Sequence, residues 1–594
     1  MTKKDLTIAL KENFGYNSFR PYQEEIIEAI LDHQDIVSIL PTGAGKSLCF
    51  QLPAILLPGV AVVISPLIAL MQDQVYSLEK NDISSAFINS TLSYAEIDSI
   101  LNNIDKIKLL YIAPERFKVA RFMEQLKNIN ISFFVIDESH LISQWGHAFR
   151  PEYRNLAILK KEFPDKSIAA FTATATPRVQ KDMAIQLEMK NPKFVLGSFN
   201  RDNLTIRIQD RLDYKEQLFS FLNSHQNESG IIYAATRKRT DQVRDLLNKN
   251  GYNVVHYHAG LSAEERERNQ QLFIEGSINV IVATIAFGMG INKPDVRYVV
   301  HLDMPQTIEQ YYQEIGRAGR DGLPSECLML FSAKEIFLYN TFLNNYTDEI
   351  VKTEMKHKLN RMVSLCSSAQ CRRIDLLNYF GEKAKSNTCG QCDNCLDDIE
   401  KIDGTEIAQK IISAVYRLSE RFGITHVTDV LRGSKKQSVL SRGHEKLTVY
   451  SIMDDSSEHD LKYYIMALIT MNHLKISEGE YPLLQMTDSS NDVLSGNNEV
   501  FFKKRKEKKA KAKKVMANLS NSNPSLLSEL KELRRILAKK DKVPPYYIFH
   551  DKTLLEMSST NPSTTDQMLT INGVGKAKLK KYGNQFLVLI KKYL

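Results

Sequence analysis

The sequence predicts a multidomain α/β protein, with two parallel-sheet domains in the first half and smaller modules behind them. Three observations lead there. Short β-branched runs alternate with longer amphipathic segments from about residue 30 to 300. A glycine-containing phosphate-loop pattern stands at the end of the first of these runs, between a strand and a helix. The alternation stops after about residue 340, where four of the seven cysteines gather between 371 and 395.

The first set of strands is read at Asp35–Leu40, Val60–Ser65, Leu109–Ile112 and Phe133–Ile136. The second is read at Gly230–Tyr233, Val254–Tyr257, Val280–Ala283 and Tyr298–Leu302. Near-continuous apolar runs, rather than strict alternation, mark strands buried on both faces by crossover helices. The segments between them carry helical spacing, as in Thr240–Leu247. The break near residue 204 separates two α/β domains. Beyond 340 a helical stretch enters the cysteine cluster. Residues 404–500 mix short helices with a strand pair, Leu474–Ser477 and Leu483–Met486, around Gly479. Residues 503–514 hold nine Lys or Arg and one Glu, which reads as a solvated linker, and a compact helical segment closes the chain from about 525.

Bulk properties bound the function. With 594 residues and 43% hydrophobic content, sizeable cores can form. No run of about 18 apolar residues suggests a membrane span, and the start lacks the apolar core of a signal peptide. The net charge of +8 permits nucleic acid as a partner without demanding it.

Leu40-Pro-Thr-Gly-Ala-Gly-Lys-Ser47 places backbone N–H groups of Thr42, Gly43 and Gly45 around a polyphosphate, at a helix N-terminus that favours negative charge. Lys46 is placed to reach the β- and γ-phosphates and Ser47 to hold Mg²⁺. Phe133–Ile136 ends in Asp137 and Glu138. The first suits water-mediated Mg²⁺ binding and the second orients or deprotonates the attacking water. Downstream, Gln313-Glu-Ile-Gly-Arg-Ala-Gly-Arg320 carries two arginines three apart. Arg317 and Arg320 suit the γ-phosphate charge that develops during hydrolysis, with Arg320 the better finger, and Gln313 is assigned to the nucleotide. Because the loop and the arginines fall in different domains, ATP would sit in the cleft and close it.

With these motifs in hand the chain resembles the RecQ helicases of superfamily 2, over nearly its whole length. Phe14-Gly-Tyr-Asn-Ser-Phe-Arg-Pro-Tyr-Gln23 is similar to the family's segment ahead of the phosphate loop. The resemblance implies that Gln23 reads the adenine edge, Tyr16 stacks on the base and Arg20 positions the nucleotide. The family more often has Gly at Tyr22 and Ala at Ser139. Ile64–Gln74, Phe171–Pro177 and Val282–Asp295 resemble its strand-contacting, coupling and fifth motifs. Leu141–Tyr153 is the most family-specific stretch. Aromatic faces stack on unpaired bases, so Trp145, His147, Phe149 and Arg150 are read as nucleic-acid contacts, against a packing role for Trp145 and Phe149. The family usually has Cys at Leu141 and Asp at Ala148.

Cys371 with Cys389-Gly-Gln-Cys-Asp-Asn-Cys395 gives the spacing of a tetrahedral, four-thiolate Zn²⁺ site (Cys371, Cys389, Cys392, Cys395). An iron–sulfur cluster is the competing reading, and Cys366 the alternative ligand. His426–Gly433 and Ser441–His444 resemble the family's winged-helix domain, with Tyr481 at the tip of its wing. Pro544–Phe549, Thr553–Met557 and Asn572–Gly575 resemble the HRDC domain, where Lys576, Lys578, Lys580 and Lys581 follow a Gly-Val-Gly turn suited to a strand phosphate.

The resemblance implies two RecA-like domains (1–203 and 204–340), a zinc module (341–402), a winged-helix RQC domain (403–502), a basic linker (503–518) and an all-α HRDC domain (519–594). It implies an ATP-dependent 3′→5′ DNA helicase that uses ATP, Mg²⁺ and Zn²⁺ in DNA repair, recombination, replication and the SOS response. Its partners would be DNA with single-stranded 3′ tails, forks or branched junctions, together with single-strand-binding and recombination proteins. It would reside in a bacterial cytoplasm near the nucleoid, away from membranes. The motor motifs alone also fit an RNA helicase, and a nucleotide-gated scaffold is the reading from another class.

Overall fold

The computed structural model describes residues 3–143, 150–288, 293–332, 334–343, 346, 348–368, 370–396, 401–471, 473–477, 483–503, 523–541 and 543–593. The chain divides into two compact units. One is Met1–Ser332 with Leu377–Ala384 and Val515–Leu594; the other is Ala333–Leu376 with Lys385–Lys514.

In the first unit, seven strands form a parallel sheet: β1 (Ile36–Ile39), β2 (Val60–Ile64), β3 (Ser85–Ile88), β4 (Leu109–Ile112), β5 (Ile131–Ile136), β6 (Ile168–Thr172) and β7 (Lys193–Leu196). Their order is β3-β4-β2-β5-β6-β1-β7. Successive side chains of a strand point to opposite faces, and here both faces are covered. Val60, Val62 and Ile64 of β2 join one core while Ala61 and Val63 join the other. Phe134 and Ile136 of β5 face the first core, and Phe133 and Val135 the second. This two-sided burial is why the runs read as continuous.

Six further strands form a second parallel sheet: β8 (Leu204–Asp210), β9 (Ser229–Tyr233), β10 (Val254–Tyr257), β11 (Val280–Ala283), β12 (Val296–His301) and β13 (Ser325–Phe331). The order is β10-β11-β9-β12-β13-β8. Every strand read from the sequence in the first 302 residues is present within two residues at either end. The strands β3, β6, β7, β8 and β13 are additions. Partial exposure breaks the apolar run in β3, β7 and β8, while β6 runs directly into the coupling motif.

The C-terminal helices, from Pro524–Asp541 to Asn584–Ile590, belong to the same unit and enclose their own core around Leu530, Phe549, Met557 and Phe586. They rest on the first sheet domain. Tyr547 meets Tyr76 edge-on with centroids 5.9 Å apart, and Lys80 Nζ lies 4.1 Å from the Tyr76 ring. The Gly-Val-Gly turn packs closely too: a Cβ built on Gly15 would stand 3.2 Å from Gly575 Cα. Lys581 is engaged with Asp541 at 2.8 Å. The lysine-bearing turn read as a strand-phosphate holder is thus partly spent on packing and on an ion pair.

The second unit starts with the helix Lys334–Leu343, the 19-residue helix Glu349–Ser367 and the helix that follows Cys371. A helical domain follows, built on Thr405–Arg417, Ile424–Leu431 and Glu458–Thr470 over one apolar core. The expected strand pair is present as β15 (Leu474–Ile476) against β16 (Leu484–Met486), antiparallel. A second pair, β14 (Lys401–Asp403) with β17 (Phe501–Lys503), closes the domain's ends on each other. The wing tip with Tyr481, the loop carrying Trp145, His147 and Phe149, and most of the basic linker lie outside the described residues. Among the described residues no helix is long and apolar enough to cross a membrane.

Candidate nucleotide and metal sites

Parallel sheets present their ligand sites at the carboxyl ends of their strands. Three adjacent strands of the first sheet, β5, β6 and β1, end here in Asp137-Glu138, Thr172–Thr176 and the phosphate loop. The loop turns through Gly43 (φ 87°) and Gly45 (φ 81°), both left-handed, a region that costs a side-chain-bearing residue about 1–2 kcal/mol. The helix Lys46–Leu56 follows directly. Lys46 Nζ donates to Leu40 O at 3.3 Å, folding its side chain back over the loop. Burial pulls its pKa down, while Glu138 and Asp137 pull it up.

The segment ahead of the loop braces it. Gln23 Nε2 donates to Ala44 O and Gly45 O, both at 3.1 Å, and Arg20 Nη1 donates to Gly43 O. Gln23 Oε1 accepts from the Arg20 backbone N–H at 2.9 Å. The side chain read as the adenine reader is therefore joined to the phosphate cradle itself. Tyr16 packs against the apolar cluster of Leu6, Leu10, Ile27 and Leu52. Tyr22, where the resembling family prefers Gly, has φ 71° at the start of the helix Gln23–Leu31. The left-handed turn is kept despite the side chain, which is 40% exposed and so avoids a clash.

Asp137 and Glu138 follow β5. Burial and the neighbouring Glu138 push Asp137 up to about 7, against the pull of Lys46. A divalent cation needs the ionised carboxylate, so a cation held at this position would release a proton below neutral pH. Glu138 sits at φ 48°, a strained backbone of the kind found at functional sites. Its Oε2 lies 3.4 Å from His140 Nδ1 and, among the described residues, accepts no hydrogen bond. That leaves an oxygen with the lone pairs a water-activating base requires. Ser139 costs the site nothing, because its buried hydroxyl donates to Phe171 O at 3.0 Å.

From Glu138 a chain of polar contacts leads to the second sheet domain. His140 Nδ1 meets Thr172 Oγ1 at 2.8 Å, and the Thr174 backbone N–H donates to that same oxygen at 3.2 Å. Gln313 Nε2 then donates to Thr174 Oγ1 at 3.1 Å. Gln313 lies on the helix Ile308–Ile315, which leads into Arg317 and Arg320. The structure thus directs the Gln313 amide to the coupling motif. A net hydrogen bond is worth about 0.5–1.5 kcal/mol. Gln313→Ala is accordingly expected to slow strand-stimulated ATP hydrolysis by roughly three- to tenfold with little change in nucleotide affinity. Steady-state kcat and KM check this.

Arg317 is buried, and Arg320 is pulled down to about 9 by burial and by the charges of Arg317 and Arg201. Like charges so crowded are relieved when a polyphosphate enters between them. A cavity of about 290 Å³ opens there, lined by Arg20, Thr42, Gly43, Arg201, Asn203 and Arg320. The sequence reading missed Arg201 and Asn203. They lie in a short connector with no strand or helix pattern, and nothing but their place between two domains could have singled them out. Arg150, read as a nucleic-acid contact, donates to Pro66 O at 3.2 Å, within the Ile64–Gln74 segment.

In the second unit the four predicted cysteines converge, with their sulfurs all within 4.8 Å of one another. Cys371 and Cys392 sulfurs are 3.8 Å apart, and those of Cys389 and Cys395 are 4.0 Å apart. A tetrahedron of Zn–S bonds of about 2.3 Å has edges of about 3.8 Å, so the cluster fits Zn²⁺ with four thiolates and no open position. The Gln391 backbone N–H donates to Cys389 Sγ at 3.4 Å. Hydrogen bonds from the Cys371 and Cys392 thiols hold the Cys389 thiol well below its ordinary range. Cys49, Cys327 and Cys366 are buried and stand outside the cluster.

Family models match successive parts of the chain: DEAD/DEAH box helicase at residues 20–183, helicase conserved C-terminal domain at 213–322, RecQ zinc-binding at 334–396, RQC domain at 398–511 and HRDC domain at 523–590. The ATP-dependent DNA helicase RecQ of Haemophilus influenzae is 40% identical over 593 residues, covering 98% of this chain and 95% of that protein. The protein of the same name from Bacillus subtilis is 40% identical over 588 residues, covering 98% of each. With the phosphate loop, the arginine segment and the four-cysteine cluster in place, these matches make the chain a member of the RecQ family of DNA helicases.

Proposed function

We propose that this protein is an ATP-driven DNA helicase that moves 3′→5′ on one strand and unwinds duplex DNA in repair and recombination. The observation that carries the reading is the meeting of the two halves of the nucleotide site. The phosphate loop of the first sheet domain touches the arginine turn of the second, so closely that a Cβ on Gly43 would lie 3.4 Å from Arg320 Cα. Hydrolysis of a nucleotide held there changes the charge between the domains, and cyclic closure on a strand becomes a stepping motor.

In this reading Ser47 and Asp137 hold Mg²⁺, which neutralises phosphate charge when bound. Lys46 and the loop backbone bind the β- and γ-phosphates, Glu138 takes the proton of the attacking water, and Arg317 and Arg320 steady the transferred phosphate. Tyr16, Arg20 and Gln23 form the base end of the pocket. Trp145, His147, Phe149 and Arg150 contact the unpaired strand, and Tyr481 works at the duplex junction. The substrates are duplexes with single-stranded 3′ tails, forks and branched junctions, and the setting is a bacterial cytoplasm near the nucleoid.

The test is ATP hydrolysis with no polymer, with single-stranded DNA and with single-stranded RNA, alongside unwinding of duplexes tailed at the 3′ or the 5′ end. Stimulation by DNA and unwinding of the 3′-tailed duplex alone are expected. Equal stimulation by RNA would favour an RNA motor, and hydrolysis indifferent to both polymers a nucleotide-gated scaffold.

A further inference from the structure

Arg201 lies in the connector between β7 and β8, and its guanidinium joins the two halves of the nucleotide site. Nη1 donates to Thr42 O in the phosphate loop at 2.7 Å. Nη2 donates to Ala318 O at 3.0 Å and to Gly319 O at 2.9 Å, the two carbonyls just before Arg320. Nε is steadied by Asn203 Oδ1 at 3.3 Å. Asn203 Nδ2 reaches the same turn, donating to Gly319 O at 2.8 Å and Leu323 O at 2.9 Å. The turn has no slack, since Gly319 has φ 57° and a Cβ there would fall 2.3 Å from Asn203 Nδ2.

We infer that Arg201 is a positioning residue that sets Arg320 against the phosphate loop through its bonds to Thr42, Ala318 and Gly319. A planar guanidinium can bind carbonyls on two sides at once, in a fixed fork that a single ammonium cannot copy. Its three backbone acceptors belong to the two segments that must meet for hydrolysis. It also adds a fixed positive charge beside Arg320, which makes that turn more receptive to phosphate. Because Arg201 binds carbonyls of the turn, its loss moves the Arg320 side chain without removing it. The inference rests on Arg320 being the finger.

The test compares wild type with Arg201→Ala, Arg201→Lys, Arg320→Ala and the Arg201→Ala/Arg320→Ala double variant. DNA-stimulated kcat and KM are measured for each, with ADP affinity and the thermal midpoint. Hydrogen bonds from a charged group are worth enough for Arg201→Ala to lower kcat about tenfold or more. KM and ADP affinity are expected to weaken far less than kcat falls, since the Arg201 N–H groups are spent on backbone carbonyls of the two segments and only its charge faces the cavity. The double variant should be no slower than Arg320→Ala, because Arg201 acts through that residue. Arg201→Lys should not restore kcat, and it is the variant read if Arg201→Ala fails to fold. A raised KM with unchanged kcat, multiplicative losses in the double variant, or full rescue by lysine would each overturn the inference. Wild-type kcat in Arg320→Ala alone would instead overturn the finger assignment on which it rests.

Discussion

Replacing Glu138 by Gln is expected to lower DNA-stimulated ATP hydrolysis by roughly 10²–10⁴-fold, the contribution of a positioned general base. Nucleotide affinity should hold near wild type. Gln keeps the shape of Glu, so the left-handed backbone at φ 48° and the neighbouring His140 are undisturbed. What disappears is the carboxylate oxygen able to take a proton from water. The substitution also removes the negative charge that helps push Asp137 up to about 7. Asp137 is then ionised at lower pH, and divalent-cation binding at pH 6 should strengthen. Single-turnover hydrolysis and a fluorescent-nucleotide titration with Mg²⁺ at pH 6 and 8 read both effects. Hydrolysis within tenfold of wild type would remove Glu138 from the role of base.

The second large effect concerns the cysteine cluster. Cys392→Ser is expected to release the bound metal and to unfold the segment around residues 385–396. Structural Zn²⁺ sites contribute on the order of 10 kcal/mol to the folds they close. The damage spreads through Arg372, which is 1% exposed and bonds Asp393 through Nε at 3.1 Å and Nη2 at 3.2 Å. Asp393 lies between two of the ligands, so losing the metal loosens the acid that compensates a buried guanidinium. An uncompensated buried charge costs about 3–5 kcal/mol. Elemental analysis should give one zinc per wild-type chain and less than one in the variant. Limited proteolysis should open a new site near the cluster. Stoichiometric iron with visible absorbance would replace zinc by an iron–sulfur cluster.

Much of this was legible in the chain because its chemistry is local. Phosphate loops, paired carboxylates at a strand end and Cys-x-x-Cys steps put ligands and backbone geometry within a few residues of one another. The four cysteines read together do gather in space, and Cys366 is buried outside their cluster. Tyr22, where the resembling family more often has Gly, keeps a left-handed backbone at φ 71°. What the sequence did not disclose depends on long-range placement. Arg201 acts on carbonyls more than 100 residues away in one direction and in the phosphate loop in the other. Its acceptors are main-chain oxygens, which every residue carries, so no pattern of side chains announces them. The packing of the C-terminal helices on Tyr76 and Gly15 was hidden for the same reason.

The position of β1 in its sheet bears on how the chain emerges from the ribosome. This strand ends in the phosphate loop, yet its two neighbours are β6 and β7: Ile36 pairs with Ala169 on one side and Lys193 on the other. At about 5–20 residues per second, on the order of ten seconds of synthesis separate the strand from its first partner. Until then its apolar edges have nothing to pair with, and pairing at such sequence separation is slow. Nucleotide competence therefore arrives late in the making of the first domain. A nascent chain released before residue 168 should carry the whole phosphate-loop motif and still fail to retain ATP.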